Sequence, residues 1–133
     1  MSTVRFRIDL TPGCSIGPGK IQLLEGIART GSLRRAASEL RMSYRRAWLL
    51  LDEINHQFNE PSTVATVGGT GGGGATLTTF GSELVQRYRA AARRMEAVAK
   101  AEFGALAPKA RAEPRGEGRP ARKKLVRSPE RRP

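Results

Sequence analysis

A chain of 133 residues has room for one ordinary domain of roughly 100 residues plus a tail, which excludes a separate sensor domain. Its formal net charge of +12, from ten basic and three acidic residues from Pro108 onward (+7) and fourteen and nine before it (+5), sets up a positive field that favours polyanions such as nucleic acid as partners. The single Cys14 and single His56 exclude an intramolecular disulfide and a His/Cys metal cluster, and no apolar run approaches the roughly 20 residues of a membrane-spanning helix.

Val4, Phe6, Ile8 and Leu10 alternate with Arg5, Arg7 and Asp9, the period-two pattern of a strand with one buried face, so a strand is predicted over 4–10. Thr11-Pro12-Gly13 and Gly17-Pro18-Gly19 read as turns. Ile21, Leu23, Leu24, Ile27 and Ala28 then recur at helical spacing and predict a first helix over 19–29. Gly31 supplies a left-handed residue to end it, and Ser32 is a favoured N-cap for a second helix over 33–40. After Arg41 and Met42, Ser43 caps a third helix over 44–58, which Asn59-Glu60-Pro61 closes. Residues 62–67 are small or β-branched, and beyond the glycine run 68–74 a second strand over 75–78 completes a hairpin. Phe80, Leu84, Val85, Tyr88, Ala91, Ala92, Met95 and Val98 form an apolar stripe that predicts one long helix over 79–103. The remainder is rich in Pro, Gly, Arg, Ala and Glu and cannot bury enough apolar surface to offset its ordering entropy. A domain over 1–104 with a basic, disordered tail over 105–133 follows.

Two short helices joined by a tight turn make a helix-turn-helix, whose second helix enters the major groove of DNA. Leu33, Ala36, Ala37 and Leu40 give one helix its inward face, Met42 plugs the turn, and Ala47, Leu50, Leu51 and Ile54 face inward from the next. Ser43, Tyr44, Arg45 and Arg46 are left outward at the start of the reading helix. Arginine suits guanine O6 and N7 as a bidentate donor, so one of Arg45 and Arg46 is expected to read a base. Ser43, like Ser32 one helix earlier, is expected to hold a phosphate at a helix N-terminus, and Arg34 joins the DNA-binding set. Trp48 has the ring to stack on a sugar or base, but beside Ala47 and near Leu51 it is rather expected in the core or an interface. The fold class is therefore mainly α with a small β-hairpin wing, a winged helix-turn-helix with a long C-terminal helix.

The region over about residues 4–94 is similar to the N-terminal DNA-binding domain of the ModE family of molybdate-responsive transcriptional regulators, itself close to the LysR-type helix-turn-helix. The resemblance rests on Leu23-Leu24-Glu25-Gly26-Ile27, Thr30-Gly31-Ser32-Leu33, Ala36-Ala37, Met42-Ser43-Tyr44-Arg45-Arg46-Ala47-Trp48, the glycine run 68–74, and Leu77-Thr78-Thr79-Phe80-Gly81, covering about residues 4–94. It implies a winged-helix homodimer on a palindromic double-stranded operator, paired through the helix over 79–103. Full-length members continue into molbindin-like domains that bind molybdate or tungstate, whereas this chain continues into a basic tail, so direct molybdate binding by this polypeptide is not expected. The wing also departs from the family pattern, with Ser62 and Thr63 where apolar residues are usual and Thr70 where a lysine is frequent.

The glycine run has no Gly-Lys-Ser/Thr and is no P-loop; Gly69, Thr70 and Gly71 are expected to form a wing tip. No nucleophile has a partner base, and Glu25, Glu39, Asp52 and Glu53 read as helix-surface acids, so neither an enzyme nor a cofactor is expected. The class indicated is a cytoplasmic, sequence-specific regulator connected with molybdenum. Its rivals are a nucleoid-type protein binding through the tail with little sequence preference, and a winged-helix interaction module partnered with a separate sensor.

Overall fold

The computed structural model describes residues 3–67 and 73–113. Two compact units divide the chain, Met1–Lys100 and Ala101–Pro133. The first contains, in order, β1 (Ile8–Thr11), β2 (Cys14–Ile16), α1 (Pro18–Thr30), α2 (Leu33–Glu39), α3 (Tyr44–Gln57), β3 (Thr63–Thr66), β4 (Gly74–Leu77) and most of α4 (Thr79–Phe103). This is a winged helix-turn-helix, mainly helical, with two small antiparallel hairpins.

Local chemistry sets the helix boundaries. Pro18 opens α1, where its missing N–H costs nothing. Gly31 ends α1 at φ 74°, its N–H donating to the Ile27 carbonyl. Ser32 caps α2 by accepting from the Arg35 N–H at 3.1 Å, and Ser43 caps α3 by accepting from the Arg46 N–H at the same distance. Between α2 and α3 the turn passes through Arg41, a non-glycine residue at φ 58°, while Met42 packs against the core as expected. Ser43→Ala is expected to lower unfolding stability by about 1 kcal/mol, the usual value of a serine cap, measured by denaturant titration; an unchanged midpoint would remove the cap from the account.

The main core joins Leu23 and Ile27 of α1 to Ala36 and Ala37 of α2, Ala47 of α3 and Ala75 of β4. Small residues let α1 and α2 approach closely, since a Cβ on Gly26 would lie 2.9 Å from the Ala36 Cβ. An ion pair between Arg29 and Glu39 ties the same two helices at the surface and raises the Arg29 pKa, chiefly through their hydrogen bond. A second cluster gathers Ile16, Ile21 and Tyr88, with Phe6, Phe58 and Val85 around it. There the Tyr88 ring stacks on Phe6 at 4.3 Å and its hydroxyl donates to the Phe6 carbonyl at 2.7 Å. Lys20 is buried and stays satisfied, donating to the Ser15 carbonyl, Glu53 and Gln57.

The hairpin β3–β4 is bolted to the helices at both ends. The Ala75 N–H donates to the Gly31 carbonyl at 3.0 Å, tying β4 to the α1–α2 junction. At the other end Asn55 of α3 accepts from the Ser62 N–H and hydroxyl and donates to the Thr63 hydroxyl. That clamp explains why Ser62 and Thr63 are buried although polar: a fully hydrogen-bonded polar pair is tolerated in a core. Arg89 of α4 pairs with Glu25 of α1 through two bonds of 2.6 and 2.7 Å, and this carboxylate raises the Arg89 pKa.

Three sequence expectations differ from the structure. The strand predicted over 4–10 begins at Ile8, and it pairs with β2, which lies within the stretch read as turns. Leu10, expected on the buried face, is exposed, because the register shifts between Asp9 and Thr11. The long helix spans 79–103 as predicted; its apolar stripe is covered as far as Ala92, and Met95 and Val98 are exposed. Within the second unit, Gly104–Lys109 forms a 3₁₀ helix where an unstructured tail was expected; residues 114–133 of that tail lie outside the described residues.

Candidate nucleic-acid interface

The start of α3 presents what the sequence predicted. Ser43, Tyr44, Arg45 and Arg46 are all exposed, and Arg45 and Arg46 make no ion pair among the described residues. The Ser43 hydroxyl spends an acceptor site on the Arg46 N–H and keeps its own proton to donate, as does Ser32 one helix earlier. Ser43, Arg45 and Arg46, with Leu49 and Leu50, border a shallow depression of about 210 Å³.

The charges here oppose helix stability. A helix N-terminus carries a partial positive charge and favours acids, yet the first turns of α2 and α3 hold no acidic residue and contain Arg34, Arg35, Arg45 and Arg46. Four cations grouped at two positive helix ends need an external anion to be favourable, and the ready-made N–H donors there suit phosphate oxygens.

Arg34 is brought to the site by stacking. Its guanidinium carbon sits 4.5 Å from the centre of the Tyr44 ring, a cation–π contact worth about 0.5–1 kcal/mol at the surface. Both residues of this pair line a cleft of about 920 Å³ between α2, α3 and the β3–β4 hairpin, to which Ser32 and Arg35 also contribute. The wing residues Gly69, Thr70 and Gly71 lie outside the described residues.

Trp48 was expected in the core or an interface, and the structure removes the first of these: 48% of it is exposed, and it lines the cleft with Tyr44 and Leu51. Tyr44, Trp48, Leu51 and Asn55 share one helical face. Arg35 and Thr66, which also border the cleft, were not singled out from the sequence. Among the described residues no group of three His, Cys, Asp or Glu side chains is placed to hold a metal ion, and no helix is long and apolar enough to cross a membrane.

No family model matches the chain, but individual relatives do. It is 41% identical over 86 residues to the molybdenum transport protein ModE of Azotobacter vinelandii, a match covering 65% of this chain and 32% of that protein. It is 40% identical over 78 residues to the molybdenum-pterin-binding protein MopB of Rhodobacter capsulatus, covering 59% and 29%. It is 39% identical over 71 residues to the DNA-binding transcriptional dual regulator ModE of Escherichia coli strain K12, covering 53% and 27%. The matches thus span about a third of the length of these relatives. In sequence, the chain resembles the N-terminal region of the ModE transcriptional regulators and Mop proteins.

Proposed function

We propose that the chain is a sequence-specific regulator of transcription, serving genes of molybdenum transport or metabolism, that reads the major groove of double-stranded DNA with the first turns of α3. The observation that carries this reading is the grouping of exposed Tyr44, Arg45 and Arg46 behind the Ser43 cap, cations at a helix end whose own dipole disfavours them. Ser43 and Ser32 hold phosphates, one of the two arginines reads guanine, and Arg34 acts beside them. The likeness to a DNA-binding transcriptional regulator supports the class.

The protein works as a homodimer in this reading, paired through α4, whose Met95 and Val98 stand exposed on an apolar stripe. A two-fold pair of winged helices requires half-sites about 34 Å apart, one turn of the duplex. Selection of bound duplexes from random DNA by the purified full chain is the test. It is expected to return a palindromic consensus whose half-sites are separated by whole helical turns. A pool that stays random would leave a nucleoid-type coating protein as the better description, and a chain that binds no duplex at all would favour the protein-interaction module.

A further inference from the structure

The cleft beside α3 shares Ser32, Arg34 and Tyr44 with the site above, but its deeper α3 wall and its hairpin wall have no part in that reading. Its α3 wall carries Trp48, about half exposed although it is a large apolar ring. Arg34 and Arg35 stand at its α2 end, both exposed and without an ion pair among the described residues. The hairpin wall offers the Thr66 hydroxyl and backbone, and among the described residues no carboxylate lines the cleft. An apolar plate, two cations and hydroxyl donors along one trough complement a chain that alternates apolar and anionic groups.

We propose that this cleft seats one sugar–phosphate strand of the duplex, with Trp48 packed on a deoxyribose and Arg34 and Arg35 on the flanking phosphates. The proposal rests on the DNA-binding function above and assigns Trp48 a part in affinity that is separate from base reading. Continuity supports it. Tyr44 belongs both to the exposed first turn of α3 and to the cleft lining. With α3 in the major groove, the strand bordering that groove passes along the wall where Trp48 stands. Phosphate and sugar contacts position a protein without specifying sequence, so Trp48 acts on every duplex alike.

Trp48 is the chain's one tryptophan, so its fluorescence reports the cleft alone. The full chain is titrated with a duplex recovered by random selection and with a scrambled duplex of the same composition. Trp48 emission is expected to change on both, and acrylamide quenching to fall. Burial of the exposed part of an indole is large enough that Trp48→Ala should weaken both complexes about tenfold while keeping their ratio. Trp48→Phe, which keeps a flat apolar face, should stay within about threefold of the parent. Circular dichroism checks that each variant is folded, and the fluorescence of the unaltered chain decides the matter if Trp48→Ala is not. Unchanged emission and quenching with DNA bound would overturn the proposal, as would a folded Trp48→Ala that loses affinity for the selected duplex alone or for neither. Failure of the unaltered chain to bind either duplex would instead remove the DNA-binding function beneath it.

Discussion

Replacing Arg45 and Arg46 together by alanine is expected to leave a folded protein that no longer distinguishes its selected site from a scrambled duplex. Both side chains are exposed in the first turn of α3 and form no ion pair among the described residues, so removing them leaves no buried group unsatisfied. Removing cations from a helix N-terminus also relieves an unfavourable dipole interaction. The melting temperature should therefore hold or rise slightly, which separates a recognition defect from a folding defect. Consecutive helical residues point about 100° apart, at 3.6 residues per turn, so the two arginines do different things. The one that grips guanine O6 and N7 contributes about 1–3 kcal/mol of discrimination, and its single alanine variant should reduce the preference for the selected site by about five- to 150-fold. The other meets a phosphate. Its variant should weaken all duplexes alike and lower the slope of log affinity against log salt by about 0.9. Retention of full preference by both single variants would place base reading elsewhere on the protein.

The reading head was legible because its determinants are local. Gly31, Ser32 and Ser43 each act within a few residues of themselves, and a cap is a statement about the next turn of helix. The apolar spacing of α1 and α4 likewise needs only one element to be recognised. What escaped depends on partners distant in sequence. β2 is three residues long, too short to show alternation, and it exists because β1 folds back on it. The Arg34–Tyr44 stack and the Asn55 clamp each join two elements and have no signature in either. Trp48 is a different case. Its position on the helix was readable, but the choice between core and interface was not, and a surface tryptophan beside arginines that form no ion pair among the described residues is the kind of exception that functional sites make.

The largest loss of stability is expected from a residue that touches no DNA in any reading. Gly81 lies in the first turn of α4, and a Cβ placed there would stand 2.1 Å from the Ser62 carbonyl oxygen and 3.0 Å from its carbon. Those are backbone atoms with little freedom to retreat. The Ser62 carbonyl accepts from the Thr78 N–H at 2.9 Å, its N–H donates to Asn55 at 2.7 Å, and Asn55 holds Thr63 as well. The Thr78 hydroxyl in turn accepts from the Gly81 N–H and donates to the Pro61 carbonyl. Alanine in a helix is otherwise favoured over glycine by about 1 kcal/mol, so propensity alone predicts that Gly81→Ala stabilises. The clash outweighs it. Overpacking against a fixed neighbour costs about 1–3 kcal/mol and sometimes more; with no side-chain end to yield, a net loss near the top of that range is expected. For a domain of this size that lowers the melting temperature by roughly 10–20 °C. Gly31→Ala provides the contrast: φ is 74° there, but nothing lies within 4 Å of the added carbon, so only the left-handed strain of about 1–2 kcal/mol applies. A Gly81→Ala protein melting with the parent would show that the joint between the hairpin and α4 yields. If it melts early, the same joint fixes the wing against α3, and the folded fraction should bind DNA less tightly although every groove-facing side chain is intact.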